Sequence, residues 1–467
     1  MATQAIIGVP GTLQQLDATA VSTTLGTALR EAVFIGDPTT TDARAAVTAS
    51  NPAPSSYGLV TRNVDMSFDA FNRLRVSQPA TEFGAFNEYK INPFNWVTST
   101  TGTGTATHST TTKQVTLATG GTASGARAVL QSRTYFRYNP GKSLYPAMTF
   151  VLGSTPPTNC AKRAGYYDDD NGLYVEWTSG GVRFVRRSNT SGSVVNTSYE
   201  QSAWNVDKLD GTGASGITLD LTMGQIFWLD FQFLGVGIVR FGFEINGVPY
   251  LCHQINHANL TATQPYMATA NLPVRYELVN TGTASATATM ACICAKVDSE
   301  GGFEPAGIQY SASRGVVAKS TTTTLLPLVS IRPGPTFGGI TNRGWVLPQS
   351  VELFGISSPN VVNLYYQIIW NATLTGASWT AVNTNAMGQY DVTATAVSLG
   401  SGAVIEDGYS VTNANKGGLG AALAATFSGR PLVNSFDGTT PDTLTLAART
   451  ISGTADLYGT ITWYGLW

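Results

Sequence analysis

The fold is decided by one stretch, residues 227–252, which reads FWLDFQFLGVGIVRFGFEINGVPYLC. Apolar side chains alternate with polar or small ones twice along it, over residues 227–233 and again over residues 239–245. A period of two places alternate side chains on opposite faces of a strand and predicts two half-buried strands. Asn246-Gly247 follows the second run and favours a two-residue type I′ turn. The stretch therefore predicts an antiparallel hairpin whose return strand begins directly after this turn.

Similar alternation recurs along most of the chain. A second hairpin is predicted over residues 173–187, with its turn at Gly180-Gly181, and further strands over residues 362–370 and 403–409. Short strands, frequent turn residues and little helical periodicity are typical of antiparallel β-sandwiches. We therefore predict an all-β protein with two β-sandwich domains, of jelly-roll or lectin-like type, preceded by an extended N-terminal arm.

Proline and glycine clusters divide the predicted fold into four segments. Residues 1–64 form the arm, residues 65–300 the first sandwich with its lead-in strand, residues 301–315 a linker, and residues 316–467 the second, smaller sandwich. Two proline-bearing turn clusters interrupt the arm before its apolar residues can form an independent core, and a short helix is predicted around residues 24–33. The arm is expected to pack on another surface through Leu25, Leu29, Val33, Phe34 and Ile35.

Composition excludes several classes of protein. The 467 residues are 43% hydrophobic and 12% charged, the latter about half of the ~25% typical of globular domains. The apolar content argues against disorder, and a net charge of −2 makes nucleic acid an unsuitable partner. The membrane-like stretch at residues 226–245 is interrupted by charged and polar residues, so no membrane span is predicted. Four cysteines in so long a chain predict no disulfide framework, which fits assembly in a reducing cytoplasm.

An acidic turn, Asp168-Asp169-Asp170-Asn171-Gly172, is the densest group of oxygen ligands in the chain. Calcium loops place their ligands at alternate positions and add a distant carboxylate, a spacing that three adjacent aspartates lack. We interpret this segment as a solvated Asx turn. Neither a metal nor a cofactor is predicted.

Two other groups could carry chemistry. His253 and His257 form the only histidine cluster, but they lie on or near a predicted strand, where packing or hydrogen bonding is favoured over zinc binding. Arg183, Arg186 and Arg187 form a basic cluster that we interpret as a surface or subunit contact.

Carboxylate-pair catalysis needs only two acids at the right separation in space. The candidates in the first sandwich are Asp168, Asp170, Glu176 and Asp230. No sequence feature supports such a pair, and we predict that the protein is not an enzyme.

Seven stretches resemble a widespread family of virion structural proteins from tailed bacteriophages. The resemblance rests on FDAFNRLRVSQPATEF (68–83), on GYYDDDNGLYVEW (165–177), and on residues 35–47, 204–222, 234–248, 272–280 and 442–463. These motifs specify packing and turns rather than catalysis. The resemblance implies a capsid-decoration, fibre or baseplate-associated subunit located in the virion and assembled in the cytoplasm of the bacterial host.

Two functional hypotheses follow. In the first, the protein is a structural virion component that contacts copies of itself, as a homotrimer, and other virion proteins of the capsid, tail or baseplate. In the second, it is a tail adhesin that binds or degrades a host-surface glycan. The first sandwich would then offer a platform of tryptophan rings with the acidic turn as its polar rim, formed by Trp177, Trp204, Trp228, Asp168 and Asp170. Burial of these rings would exclude the platform.

Overall fold

The structure is a computed structural model that describes residues 70, 79–260, 263–301, 307–413 and 430–467, together with the backbone of four strands at 5–9, 12–23, 26–32 and 419–422. Contacts divide the chain into two compact units, Met1–Asn63 and Val64–Trp467. Within the described residues the only helical element is a 3-10 turn at Gln201–Ala203. No helix in this part of the chain is long and apolar enough to cross a membrane. The predicted all-β class is confirmed.

The first unit contains an antiparallel sheet of three strands in chain order. These strands are β1 (Ala5–Val9), β2 (Thr12–Thr23) and β3 (Gly26–Ala32). The short helix predicted around residues 24–33 is wrong, because the part of this segment that the structure describes, Gly26–Ala32, is a strand that pairs with β2. Among the predicted assembly residues, the backbone of Leu29 lies on β3, and the following lie outside the described residues: Leu25, Val33, Phe34 and Ile35.

The second unit begins with fifteen strands that form two sheets. They are β4 (Ala80–Phe86), β5 (Trp96–Thr101), β6 (Thr105–His108), β7 (Val115–Ala118), β8 (Arg127–Ser132), β9 (Leu144–Val151), β10 (Cys160–Tyr167), β11 (Gly172–Thr178), β12 (Gly181–Ser188), β13 (Val195–Glu200), β14 (Gly224–Phe231), β15 (Val239–Ile245), β16 (Val248–Ile255), β17 (Val274–Asn280) and β18 (Thr289–Ser299). The front sheet runs β13-β12-β11-β10-β17-β8-β5. The back sheet runs β16-β15-β14-β9-β18-β7-β6, with β4 also paired to β18.

Aromatic packing closes the front and back sheets into the first sandwich. The ring of Phe184 on β12 lies 4.7 Å from that of Phe241 on β15 and 6.0 Å from that of Phe227 on β14. The alternating sequence assigns Phe227 and Phe241 to the core-facing side of their strands, and the structure places them there. Burial of such rings removes a large apolar area from water and supplies most of the stability of a sandwich.

Both predicted hairpins are confirmed. The backbone of Asn246 and Gly247 has positive φ angles of 53° and 73°, as a type I′ turn between β15 and β16 requires. The hairpin of β11 and β12 forms as predicted, but it turns at Ser179 and Gly180, one residue before the predicted Gly180-Gly181, because Gly181 already pairs with Thr178. In both cases a short loop determines the antiparallel register of the two strands that it joins.

The rest of the second unit forms a further pair of sheets. Its strands are β19 (Ile308–Ser313), β20 (Lys319–Thr321), β21 (Leu326–Pro333), β22 (Thr336–Phe337), β23 (Ile340–Thr341), β24 (Trp345–Ile356), β25 (Asn363–Trp370), β26 (Leu374–Thr375), β27 (Thr380–Ala381), β28 (Gly388–Asp391), β29 (Ala396–Val397), β30 (Ala403–Val411), β31 (Leu419–Ala422), β32 (Leu444–Thr450) and β33 (Ala455–Leu466). One sheet runs β19-β33-β24-β31, with β20 also on β33, and the other runs β27-β28-β21-β32-β25-β30. Two two-stranded ribbons, β22-β23 and β26-β29, complete this part.

The predicted linker at residues 301–315 needs a correction at its C-terminal end. Ile308–Ser313 form β19, which pairs antiparallel with the last strand, β33. The alternation of this short segment buries Tyr310 and Ala312, so it contributes to the core rather than joining two domains.

Specific contacts join the first sandwich to the second pair of sheets. The indole Nε1 of Trp345 donates a hydrogen bond to the carbonyl oxygen of Tyr135 at 2.6 Å. The guanidinium of Arg343 lies 4.2 Å from the centre of the Tyr135 ring, and that of Arg275 lies 5.2 Å from the Phe436 ring. Buried apolar residues form one continuous cluster across both parts. The two pairs of sheets therefore pack as one body.

Candidate functional site

The outer face of the front sheet, opposite the core, carries a row of charges of alternating sign. Strand register places Glu200, Arg183, Glu176, Arg163 and Glu277 directly beside one another on five successive strands. Their sequence neighbours point into the core, as the period of two requires. We call these five residues, together with Arg127 on β8, the charge row.

Ion pairs link the charge row from end to end. Arg163 donates from Nε to Oε1 of Glu176 at 2.6 Å and from Nη1 to Oε1 of Glu277 at 2.8 Å. Arg127 donates from Nη2 to Oε2 of Glu277 at 2.9 Å. The side chains of Glu176 and Glu277 are only 4% and 2% exposed. Two nearly buried carboxylates are thus satisfied by arginines on both sides, which is the arrangement in which a buried charge is tolerated.

The arginines around the charge row keep the carboxyl group of Glu277 ionised. Burial alone would raise the pKa of Glu277, but Arg163, Arg127 and Arg275 outweigh burial and lower this pKa to about 2. Asp169 in the acidic turn behaves in the same way, since Arg275 and Arg127 overcome its burial and lower its pKa to about 2. Neither group carries a proton near neutral pH, so neither can act as a general acid.

The acidic turn is an Asx turn, as the sequence predicted. Oδ1 of Asp168 accepts hydrogen bonds from the backbone N–H groups of Asp170 at 2.9 Å and Asn171 at 2.8 Å. Asp169 binds Arg127 and Arg275, and Asp170 accepts a hydrogen bond from Asn189. Hydrogen bonds and ion pairs within the protein therefore occupy much of the acceptor capacity of the carboxylate oxygens in this turn. Within the described residues, no group of three or more His, Cys, Asp or Glu side chains is arranged to hold a metal ion.

Two of the four candidate carboxylates for glycoside cleavage, Glu176 and Asp230, are not brought together. Glu176 lies on the outer face of the front sheet, whereas Asp230 lies on the opposite, outer face of the back sheet and accepts a hydrogen bond from Oγ of Ser143 at 2.6 Å. The whole sandwich separates these two groups. A reaction that needs two acids on either side of one glycosidic bond cannot use this pair.

The predicted platform of tryptophan rings is wrong, because two of its three tryptophans, Trp204 and Trp228, are buried. Trp204 is only 3% exposed and stacks on Phe184, with ring centres 4.2 Å apart. Trp228 is 1% exposed although its place in the alternating sequence assigns it to the outer face. Its indole lies across Gly242 on the neighbouring strand, where no side chain competes for the space, and Tyr145 stacks on it at 6.0 Å.

Trp177 is half-buried at the end of β11, with its ring packed partly against the core. The ammonium group of Lys162 lies 5.5 Å from the centre of this ring, a cation–π contact. The residues predicted to contact carbohydrate are therefore dispersed over the sandwich and form no shared surface.

A different group of polar residues surrounds a pocket at the edge of the sandwich, between the edge strands β13 and β16. Arg186 lies on β12 with the inward parity of Phe184, so its side chain points between the two sheets. It donates from Nη1 to Nε2 of His257 and from Nη2 to Oγ1 of Thr197, both at 3.1 Å. The pocket has a volume of about 450 Å³, and we call it the edge pocket.

His257 connects two sides of the edge pocket as a neutral imidazole. Its Nδ1 lies 2.8 Å from the carbonyl oxygen of Gly237, which can only accept, so Nδ1 carries the proton. Nε2 is then free to accept from Arg186. Burial lowers the pKa of His257 and Arg186 lowers it further, against the opposing effect of the Gly237 hydrogen bond. The ring also stacks on Tyr266 at 4.2 Å, with an interplanar angle of 9°.

Hydroxyl and amide groups form most of the remaining wall of the edge pocket. They come from the end of β12, the loop that follows it, the edge strand β13 and the segment after β16, namely Ser188, Thr190, Ser191, Thr197, Tyr199, Asn256, Thr263 and Gln264. Such a wall can donate to and accept from a ligand that is rich in hydroxyl groups. Among the few apolar members, Val195 and Ile255 lie on the two edge strands and Pro265 lies in the segment after β16.

The sequence singles out Arg186 and His257 but does not indicate that their side chains are hydrogen-bonded to each other. Arg186 was grouped with Arg183 and Arg187, yet the pleat of β12 places those two on the outer face and Arg186 on the inner one. His257 was grouped with His253, which instead accepts a hydrogen bond from the backbone N–H of Asn205 at 3.3 Å and serves packing, as expected. The parity of Arg186 with Phe184 was the signal that could have identified it as inward-facing.

No protein-family model matches the sequence. No curated protein matches it either.

Solved structures are similar over about half of the chain. The Emp47p carbohydrate recognition domain has a TM-score of 0.31 at 11% identity, covering 48% of this chain and 97% of its own. An endo-beta-1,4-glucuronan lyase from the fungus Trichoderma reesei has a TM-score of 0.30 at 9% identity, covering 47% and 95%. A carbohydrate esterase from Shiga toxin-encoding bacteriophage phi24B has a TM-score of 0.29 at 10% identity, covering 47% and 99%.

Proposed function

We propose that this protein is a non-enzymatic structural component of a tailed-bacteriophage virion, of the capsid-decoration, fibre or baseplate-associated type. The sequence resemblance motivates the proposal, and the charge row is the observation that carries it. Ion pairs connect six strands across the outer face of the front sheet, and two of the carboxylates, those of Glu176 and Glu277, are nearly buried between arginines, which supports a structural role for this face. A rigid face of this kind suits a subunit that is repeated in an assembly.

In this proposal, residues 1–64 anchor the subunit. They pack on neighbouring copies, within a homotrimer, or on another protein of the capsid, tail or baseplate. The division of contacts at Asn63 supports the proposal, since the arm can be removed without cutting through the second unit.

The experiment compares the full chain with a chain that lacks residues 1–60. Both are supplied to phage particles during assembly in the host, and the protein content of the purified particles is measured by mass spectrometry. The truncated chain should keep the melting temperature of the second unit but be absent from particles. Normal incorporation of the truncated chain would contradict anchoring by the arm.

A second candidate function, glycan binding at the host surface, is favoured by the edge pocket, which combines one cation with a wall of hydroxyl groups. Incubation of the purified protein with host polysaccharide separates binding from cleavage. Retention of full-length polysaccharide together with measurable binding is the expected result. Shortening of the polysaccharide would contradict the non-enzymatic proposal.

A further inference from the structure

The positive charge of Arg186 has no carboxylate partner among the described residues. Its bonds go to the neutral ring of His257 and to the hydroxyl group of Thr197. The guanidinium has five N–H groups, so three remain after these two bonds. In contrast, Arg163, Arg183 and Arg127 in the charge row each bind at least two carboxylates.

Nε of Arg186 and the hydroxyl group of Tyr266 also lack a hydrogen-bond partner within the described part of the chain, but both atoms are buried and a ligand in the edge pocket does not reach them. Arg186 as a whole is half-buried and lines the pocket, so the donors that it offers to a ligand are the remaining N–H groups of Nη1 and Nη2. Beside a guanidinium without a carboxylate partner, the preferred acceptor is an anion.

The size and the wall of the edge pocket restrict the ligand further. A volume of about 450 Å³ is in the lower part of the ~300–1,000 Å³ range of small-molecule sites. The edge pocket has room for a single sugar unit, whose hydroxyl groups match the serine and threonine side chains of the wall. We propose that the edge pocket binds one carboxylate-bearing sugar unit of a glycan, with its carboxylate on Arg186.

This inference rests on the glycan-binding candidate function and names its ligand class. Methyl glucuronide and methyl glucoside provide a matched pair of probes, because they differ only in the carboxylate that replaces a hydroxymethyl group. Binding to the full chain is measured by ligand-observed NMR titration. The glucuronide should bind about tenfold more tightly, as expected for charge-assisted hydrogen bonds.

Two variants assign the binding to the edge pocket. Arg186→Gln removes the cation and should reduce glucuronide affinity to that of the glucoside. Thr197→Val keeps the branched side chain on β13 and removes a hydroxyl group of the wall beside Arg186, so it should fold normally while weakening glucuronide binding about threefold or more. The exposed Lys90→Gln removes the same charge elsewhere and should leave the affinity unchanged.

The outcomes distinguish the inference from the function on which it rests. Equal binding of both glycosides would overturn the acidic ligand class and leave glycan binding standing. Binding of neither glycoside to the wild-type chain would overturn both. Displacement of the glucuronide by equimolar sulfate, with no contribution from the sugar ring, would show an anion site only. Unchanged affinity in Thr197→Val with a normal melting temperature would place the ligand elsewhere.

Discussion

Arg133 and Asp442 lie 309 residues apart in the sequence and form a two-pronged ion pair between the first sandwich and the second pair of sheets. Nη2 of Arg133 lies 2.5 Å from Oδ1 of Asp442, and Nε lies 3.3 Å from Oδ2. Asp442 is 1% exposed and also accepts hydrogen bonds from Nδ2 of Asn371 and the backbone N–H of Val433. One buried carboxylate thus organises the loops where the two pairs of sheets meet.

Asp442→Asn should destabilise the protein by about 3 kcal/mol, because it leaves the guanidinium of Arg133 without its counter-charge. Urea unfolding of Asp442→Asn, Arg133→Gln and the double variant gives the interaction free energy through a double-mutant cycle. We expect a coupling of about 1–3 kcal/mol. A coupling near zero would show that the pair does not join the two parts of the protein.

Glu277→Gln should destabilise the protein by about 3–5 kcal/mol near neutral pH, since three arginines then share a nearly buried site with less negative charge. The exposed end of the charge row provides the control, and Glu200→Gln should cost less than about 1 kcal/mol. Thermal melting of both variants tests the comparison.

The effect of Glu277→Gln should depend on pH in a defined direction. The folded protein lowers the pKa of Glu277 to about 2 from an ordinary value of 4.5. The stability that the ionised carboxylate contributes is therefore present above about pH 4.5 and is lost as the pH falls through 2. The difference between wild type and variant should shrink over this window, and a constant difference would contradict the charge-row interpretation.

Glu82 should produce the opposite dependence on pH. Burial raises its pKa to about 7, against the attraction of Arg137 and Lys142, and both carboxyl oxygens lack a hydrogen-bond partner in the described structure. The stability associated with the protonated form is present below pH 4.5 and is lost as the pH rises through 7. Relative to wild type, Glu82→Gln should gain about 2–3 kcal/mol between pH 4.5 and pH 8. Denaturant titrations at several pH values measure this gain, which should be absent if Glu82 is solvated.

Gly242→Ala should be severely destabilising, by about 3 kcal/mol or more, because the new Cβ would lie 2.1 Å from Cζ2 of Trp228 and 2.3 Å from the carbonyl oxygen of Tyr250. Gly224 on β14 is the matched control, since a Cβ there meets nothing within 4 Å. Gly224→Ala should change the free energy of unfolding by less than about 0.5 kcal/mol. Equal urea midpoints for the two variants would mean that the indole does not lie on Gly242.

Local patterns were sufficient to predict the strand content and the hairpins. The alternation over residues 239–245 and the turn at Asn246-Gly247 depend on the period of a strand and on the ease with which this dipeptide adopts positive φ, both properties of neighbouring residues. The helix predicted around residues 24–33 failed for a related reason. Pairing of this segment with β2 outweighs its weak helical propensity. The sequence of the segment alone does not show which strand will pair with it.

The sequence by itself thus determined the all-β class, the two hairpins and the Asx turn at Asp168. Only the tertiary structure decided which polar-face residues are buried and which residues share a site. Trp228 is buried because strand register places it opposite Gly242, and the edge pocket exists because sheet packing brings Arg186 to within 3.1 Å of His257, 71 residues away. Alternation assigns a side chain to a face of its own strand, but register and packing between distant strands determine what covers that face.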